Sequence, residues 1–204
     1  MDRFMTFNIQ DNLIETFDQI DVYLFDQLLK GRFDNCHNVL DVGCGGGRNL
    51  VYLSKCGLDI YGVDQDQEVL DRAISLLPNG KFECALADKL NYVDNNFDVV
   101  ICNAVLHFAQ DDKHFQDMLN EIWRVIKPGG FLFARLASSQ GIEDLIKPLG
   151  NNVYDLPDGS KRYLINDDML LKHTDNLKAQ LLDPIKTTNV QSKRCMSTWV
   201  IKKI

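Results

Sequence analysis

The chain has 204 residues, of which 45% are hydrophobic and 25% charged, with 13 Gly and only 5 Pro. That is enough apolar material for one full core, and the composition excludes a disordered chain or a fibrous repeat. A formal net charge of −7 gives no electrostatic footprint for a phosphate backbone, so nucleic acid is not an expected partner. The cysteines Cys36, Cys44, Cys56, Cys84, Cys102 and Cys195 form no CxxC pair, and several fall inside apolar runs. They read as reduced thiols in a cytoplasmic setting, with no metal site and no disulfide framework. Residues 1–10 lack a leader's basic and apolar regions, and the run 99–109 is broken by Asn103 and His107. It stops well short of the roughly 20 apolar residues of a membrane span, so no membrane is expected as a partner.

In chain order, residues 9–29 place Leu13, Phe17, Ile20, Leu24 and Leu28 at spacings of three and four, the pattern of one amphipathic helix packed on a larger body. Short β-branched runs at 38–42, 59–63, 81–87, 97–102 and 130–136 then alternate with helical patterns and read as buried strands. One helix is expected to start near Arg48. Asp66 is placed to cap another, whose apolar stripe is Val69, Leu70, Ala73, Ile74 and Leu77. A third runs from Asp112 with Phe115, Met118, Leu119, Ile122 and Ile126 inward, and stops at Lys127-Pro128-Gly129-Gly130. Such alternation predicts an α/β fold with a parallel sheet covered on both faces. After residue 137, segments 152–156 and 160–165 flank Pro157-Asp158-Gly159 as an added β-hairpin, and a short helix spans 167–174. Segments 182–190 and 194–203 are expected as an antiparallel pair closing one edge.

The densest motif is residues 39–50, where a strand enters a loop with Gly43, Gly45 and Gly47. Glycines there tolerate unusual dihedrals and let a ligand approach the backbone. The dinucleotide fingerprint wants its third glycine one position later, where Arg48 stands, and it does not include the acid at Asp41. A carboxylate at that place suits a ligand carrying a cation, although capping of its own loop is the plain alternative. Asp64 ends the second strand, 17 positions after Gly47, where an acid accepts from ribose hydroxyls. Asp88 follows the third strand and can accept from an adenine amino group, with Gln65 flanking the ring. Asn103 ends the fourth strand, where open α/β sheets bind ligands.

On these residues the chain resembles the class I S-adenosylmethionine-dependent methyltransferases. The D-x-G-x-G-x-G of Asp41 to Gly47, the acids Asp64 and Asp88, the run from Phe97 to Phe108 and Lys127-Pro128-Gly129-Gly130 are similar to that family's successive motifs. Residues 43–49 look most like its small-molecule and tellurite-resistance-type members, and the absence of Asn-Pro-Pro-Tyr after the fourth strand argues against methylation of amino groups on bases or glutamine. The resemblance implies a Rossmann-like, doubly wound, seven-stranded sheet with an antiparallel last strand. It places Asp41 and the loop Gly43, Cys44, Gly45 and Gly47 near the methionine end of the cofactor, Asp64 on the ribose and Asp88 on the adenine. The implied organisation is a single domain over 1–204: an N-terminal helical cap at 1–37, a cofactor-binding core at 38–136, and a hairpin, short helix and closing strands at 137–204.

The resulting expectation is methyl transfer from S-adenosylmethionine to a small-molecule acceptor by in-line displacement, without a metal. His107 is the candidate general base, expected to ionise near neutrality, and simple packing beside Leu106 and Phe108 is its alternative. Arg135 is the candidate grip for an anionic acceptor. Tyr154, Arg162 and Lys186 are expected to sit solvated rather than to line the acceptor site, and Phe17 and Tyr23 either close over the cofactor or pack. A nicotinamide-dependent oxidoreductase is disfavoured by Arg48 and Asp41. A non-catalytic adenosyl-ligand-binding protein stays open, because nothing in the sequence identifies an acceptor.

Overall fold

The computed structural model describes residues 9–204; residues 1–8, read above as part of a segment without a leader, lie outside that description. Helices α1 (Ile9–Phe17) and α2 (Val22–Leu29) precede β1 (Asn38–Val42). Next come α3 (Val51–Lys55), β2 (Asp59–Asp64), α4 (Gln67–Leu76), β3 (Lys81–Cys84), β4 (Phe97–Asn103), α5 (Asp112–Val125) and β5 (Ile126–Ser138). The remainder forms β6 (Lys147–Gly150), β7 (Val153–Asp155), β8 (Lys161–Tyr163), α6 (Asp167–Asn176), β9 (Ala179–Leu181), β10 (Lys186–Val190) and β11 (Arg194–Lys203).

The central sheet runs β10-β11-β5-β4-β1-β2-β3, parallel from β5 to β3. β11 returns antiparallel to β5, and its outer edge is shared by β10 and β9. The expected width of seven positions therefore holds, with eight strands filling it. Alternation along each strand divides the core. Val39, Val99, Ile101, Phe131, Phe133 and Val200 pack toward α2, α3 and α4, whereas Leu40, Val100, Leu132, Trp199 and Ile201 pack toward α5 and α6. The chain lays β1, β2 and β3 outward in one direction and then crosses to β4 and β5, so the switch between β1 and β4 opens a crevice at the carboxyl ends of those strands.

Several expected boundaries move, each for a local reason. Residues 9–29 form two helices, because Asp18 takes a left-handed φ of 54° and Asp21 starts a new helix by accepting from Tyr23 N–H at 2.9 Å and Leu24 N–H at 3.3 Å. The helix expected near Arg48 begins at Val51, after the positive φ of Gly47 (85°) and a turn in which Leu50 N–H donates to Gly47 O. β3 ends at Cys84 instead of residue 87, leaving the following turn free to carry Asp88. Lys127 to Gly130 opens β5 instead of merely ending a helix, across a register shift opposite Phe97 and Val99. The added hairpin, β7 and β8, gains β6 as a third strand, and Tyr163 anchors it by stacking on Phe115 at 4.9 Å and donating to Asp112 Oδ1 at 2.8 Å. The strand expected at 182–190 starts at Lys186, since Pro184 cannot donate to a ladder.

Phe133 lies at the centre of the β5 contact and is fully buried. Truncation Phe133→Ala is expected to cost about 3–5 kcal/mol, read as a lowered denaturant midpoint at unchanged slope.

Candidate functional site

The glycine loop is stitched to β2: Gly43 N–H and Cys44 N–H both donate to Val63 O, at 2.8 and 2.9 Å. Its glycines serve different ends. At Gly43 (φ 71°) a Cβ would lie 2.1 Å from Val105 Cγ2, so both backbone and space demand glycine. Gly45 presents its N–H to Asp64 Oδ2 at 3.0 Å, and Asp64 Oδ1 accepts from Asp66 N–H at 3.1 Å. Gly47 faces α4, where a Cβ would sit 3.3 Å from Ala73 Cβ and Leu77 Cδ1. The Cys44 thiol is turned into the core under α3 and α4, and burial pushes its pKa up. The residue therefore offers its main chain, not its thiol, to the loop.

A cavity of about 790 Å³ opens beside this loop, lined in part by Gly43, Asp64, Gln65, Asp88, Ala104 and Phe108. Four of the expected cofactor residues thus share one wall. Asp88 Oδ2 lies 3.6 Å from His114 Nε2, and His114 Nδ1 accepts from Gln110 N–H at 3.2 Å, which turns Nε2 toward Asp88. His114 was not singled out in the sequence. Its signal is the capped start of α5, where Asp111 accepts from His114 N–H at 2.7 Å.

Behind the cavity, on the α2/α3 face of the sheet, runs a row of polar residues: Asp41 on β1, Asn103 on β4, Arg135 on β5 and Thr198 on β11. Asn103 pairs with Arg135, and Arg135 with Thr198, in direct register. Each keeps a buried polar atom without a hydrogen-bond partner: both carboxylate oxygens of Asp41, Asn103 Oδ1, Arg135 Nε and Thr198 Oγ1. Asp41 is 1% exposed. Burial pushes its pKa up to about 7, while the Asn49 side chain and the Arg48 charge pull the other way. It caps nothing, so the alternative reading of Asp41 as a loop cap is overturned.

The N-terminal helices close this row from above. Asn49 Oδ1 accepts from Asp21 N–H at 3.1 Å, Asp21 Oδ2 stands 3.6 Å from Arg135 Nη1, and the Arg135 guanidinium lies over the Tyr23 ring at 4.8 Å. The Tyr23 hydroxyl hydrogen-bonds Thr188 Oγ1. Phe17 instead packs on Phe25 and Tyr52, at 5.0 and 4.6 Å.

A second cavity of about 240 Å³ is lined by His107, Arg135, Asp158, Arg162 and Arg194 among others, and it shares Ala104 with the first. Ala104 holds a left-handed φ of 65° and donates its N–H to Arg135 O at 2.7 Å, which fixes the junction. His107 Nδ1 accepts from Ala137 N–H at 3.2 Å. Burial, with the charges of Arg162, Arg135 and Arg194, holds its pKa down at about 4. That lies below the ionisation near neutrality expected of a general base. Arg162 is not simply solvated, since it lies over Phe108 at 4.7 Å. Lys186 is exposed, 3.3 Å from Asp26, and Tyr154 packs beside Ala137 and Leu156. No helix among the described residues is long and apolar enough to cross a membrane.

Residues 40–134 match the family model of a methyltransferase domain. An uncharacterized methyltransferase of Synechocystis is 35% identical over 92 residues, covering 45% of this chain and 43% of its own. The ubiquinone biosynthesis O-methyltransferase of Coxiella burnetii is 34% identical over 116 residues, covering 54% and 46%. The chain thus spans under half the length of these two relatives. Among solved structures, an S-adenosylmethionine-dependent methyltransferase from Methanosarcina mazei shares the fold with a TM-score of 0.72 at 18% identity, over 87% of this chain and 97% of that one.

Because the folded pKa of Asp41 lies above its unfolded value of about 3.9, the ligand-free fold holds the proton more tightly than the unfolded chain. Stability from this group is complete below pH 4 and is lost as pH rises through about 7. Asp41→Asn is expected to remove that decline and to gain on the order of 2–4 kcal/mol at pH 8, measured by urea unfolding of ligand-free protein at both pH extremes.

Proposed function

Over residues 40–134 the chain carries a methyltransferase domain of the class I S-adenosylmethionine-dependent family, and from that premise we propose that it transfers the methyl group of S-adenosylmethionine to a small-molecule acceptor. The observation that carries this reading is the buried carboxylate of Asp41, both oxygens of which lack a partner. An uncompensated buried charge is costly, and a ligand ammonium at the glycine loop removes the cost. The rest of the first cavity fits the same cofactor. Asp64 retains lone pairs beyond its two backbone bonds for ribose hydroxyls, Asp88 and Gln65 are assigned to the adenine, and Asn103 to the methionine end beside Gly43, Gly45 and Gly47.

When bound, the sulfonium supplies an electrophilic methyl group that leaves a neutral thioether behind. The chain's own contribution is to hold donor and nucleophile in line across the Ala104 junction, which is worth about 7–11 kcal/mol when the geometry is right. His107, with Nδ1 occupied, is assigned the role of a neutral Nε2–H donor that orients the acceptor, and Arg135 that of a charged grip. We assign residues 9–37 to closing the site, 38–136 to the cofactor and 137–204 to framing the acceptor, all within one domain working in the cytoplasm. The net charge of −7 favours a small acceptor over nucleic acid. A pyrophosphate would face the Asp41 carboxylate, which speaks against a nicotinamide cofactor, and the second cavity meeting the first at Ala104 supports catalysis over ligand binding alone.

Calorimetry is expected to give micromolar affinity for S-adenosylmethionine, weakened about ten- to a hundredfold in Asp64→Asn through loss of a charge-assisted hydrogen bond. Affinity should rise from pH 6 to pH 8 with proton release, seen as a buffer-dependent enthalpy, because the ligand cation favours ionised Asp41. In Asp41→Asn that linkage should vanish; its persistence would remove the ammonium assignment. Once an acceptor is known, His107→Asn should lower turnover without deleting any pH limb between 6 and 8, given the imidazole's pKa of about 4. A wild-type limb near neutrality that disappears in the variant would restore the base reading.

A further inference from the structure

The second cavity concentrates positive charge in a chain whose net charge is −7. Three arginines line it and one carboxylate does, Asp158. Asp158 accepts from Ser160 N–H at 2.9 Å and Ser160 Oγ at 2.6 Å within its own turn, and these bonds together with the charges of Arg194 and Arg162 hold its carboxyl below the usual range. Among the described residues neither Arg162 nor Arg194 has an acid within ion-pair distance. Arg162 donates to Lys161 O at 2.6 Å and rests on Phe108. Arg135 is the most enclosed of the three, its side chain 18% exposed. Its Nε is sealed from solvent without a partner, while its Nη1 stands 3.6 Å from Asp21 Oδ2. His107 adds a neutral ring whose free proton lies on Nε2, since Nδ1 is taken by Ala137 N–H.

The buried Arg135 Nε left unmet is costly in the same way as the Asp41 carboxylate, the half-buried Arg162 and the exposed Arg194 stand at the same cavity, and a planar oxyanion answers several forks at once. Resting on the methyl-transfer reading above, we infer that the acceptor is a small organic carboxylate, held in the second cavity by Arg135, Arg162 and Arg194. The size agrees, because about 240 Å³ lies below the 300–1,000 Å³ typical of drug-sized ligands. Phosphate sites commonly add a helix N-terminus or a nest of backbone amides, and here the Ala137 amide is already bonded to His107.

The test uses the full chain saturated with S-adenosylhomocysteine, titrated by calorimetry and thermal shift with acetate, succinate and benzoate, with their amides, and with inorganic phosphate. At least one carboxylate is expected to bind and its amide to fail. Arg162→Gln and Arg194→Gln should each weaken that carboxylate about tenfold or more, with S-adenosylhomocysteine affinity held within about twofold. Arg162→Lys should restore only part, because an ammonium lacks the fork. Absence of binding by every carboxylate to protein that binds S-adenosylhomocysteine overturns the inference, as does phosphate binding as tightly as the best carboxylate. Failure of the wild-type chain to bind S-adenosylhomocysteine overturns instead the methyl-transfer reading beneath it.

Discussion

A carboxylate sealed inside a protein without a hydrogen-bond partner is unstable as an ion, and Asp41 is such a group at the end of an interior strand of the sheet. β1 is paired on both sides, so its end cannot relax outward to reach water. The glycine loop that follows turns its amides elsewhere: Gly43 and Cys44 bond Val63 O, and Gly45 bonds Asp64. These three amides are therefore occupied away from Asp41. The arrangement resolves when a cation enters from the crevice, or when the carboxyl keeps its proton, and both answers are functional statements. The same logic runs along the row to Asn103, Arg135 and Thr198, where adjacent strands aim polar groups into one space that the chain does not fill.

Covering that row is the work of α2, held by few but well-placed contacts. Asp21 joins the cap of α2 to Asn49 on the glycine-loop side and to Arg135 on the sheet. Arg48 donates to Gln19 O at 2.8 Å, pinning the α1–α2 break against the loop. At the other end of the helical cap, Arg32 grips Asp183 with two bonds of 2.8 and 3.0 Å and donates to Leu182 O at 2.9 Å. A bidentate, largely buried pair of this kind exceeds the contribution of an exposed one. It ties the end of α2 to the segment leading into β10. α1 by contrast buries none of its residues, and it meets α3 mainly through Phe17 on Tyr52.

Much of this was legible in the sequence where the signal is local. Asp66 caps α4 as read, and the stripe of Phe115, Met118, Leu119 and Ile122 is buried under the sheet. Asp64, Gln65 and Asp88 meet in one cavity, as their strand-end positions imply. The break at Asp18 to Asp21 was hidden because the apolar spacing runs through it unchanged, and only the left-handed Asp18 and the capping Asp21 interrupt the helix. Arg194, Thr198 and His114 escaped for a different reason. Each lies far along the chain from its neighbours in the site, and no short motif records which strands will pair.

The sequence by itself thus determined the strand and helix alternation, the need for glycine at Gly43, and the set of acids delivered to the carboxyl edge of the sheet, because these follow from periodicity, dihedral preference and the rules of parallel βα connection. Tertiary structure alone decided the ionisation and partnering of those groups. It withheld a partner from Asp41, gave the Nδ1 lone pair of His107 to Ala137, and assembled Arg135, Arg162 and Arg194 around one cavity. Desolvation and hydrogen-bond accounting depend on what packs across strands and over the sheet, and that is a property of the folded arrangement rather than of any window of the chain.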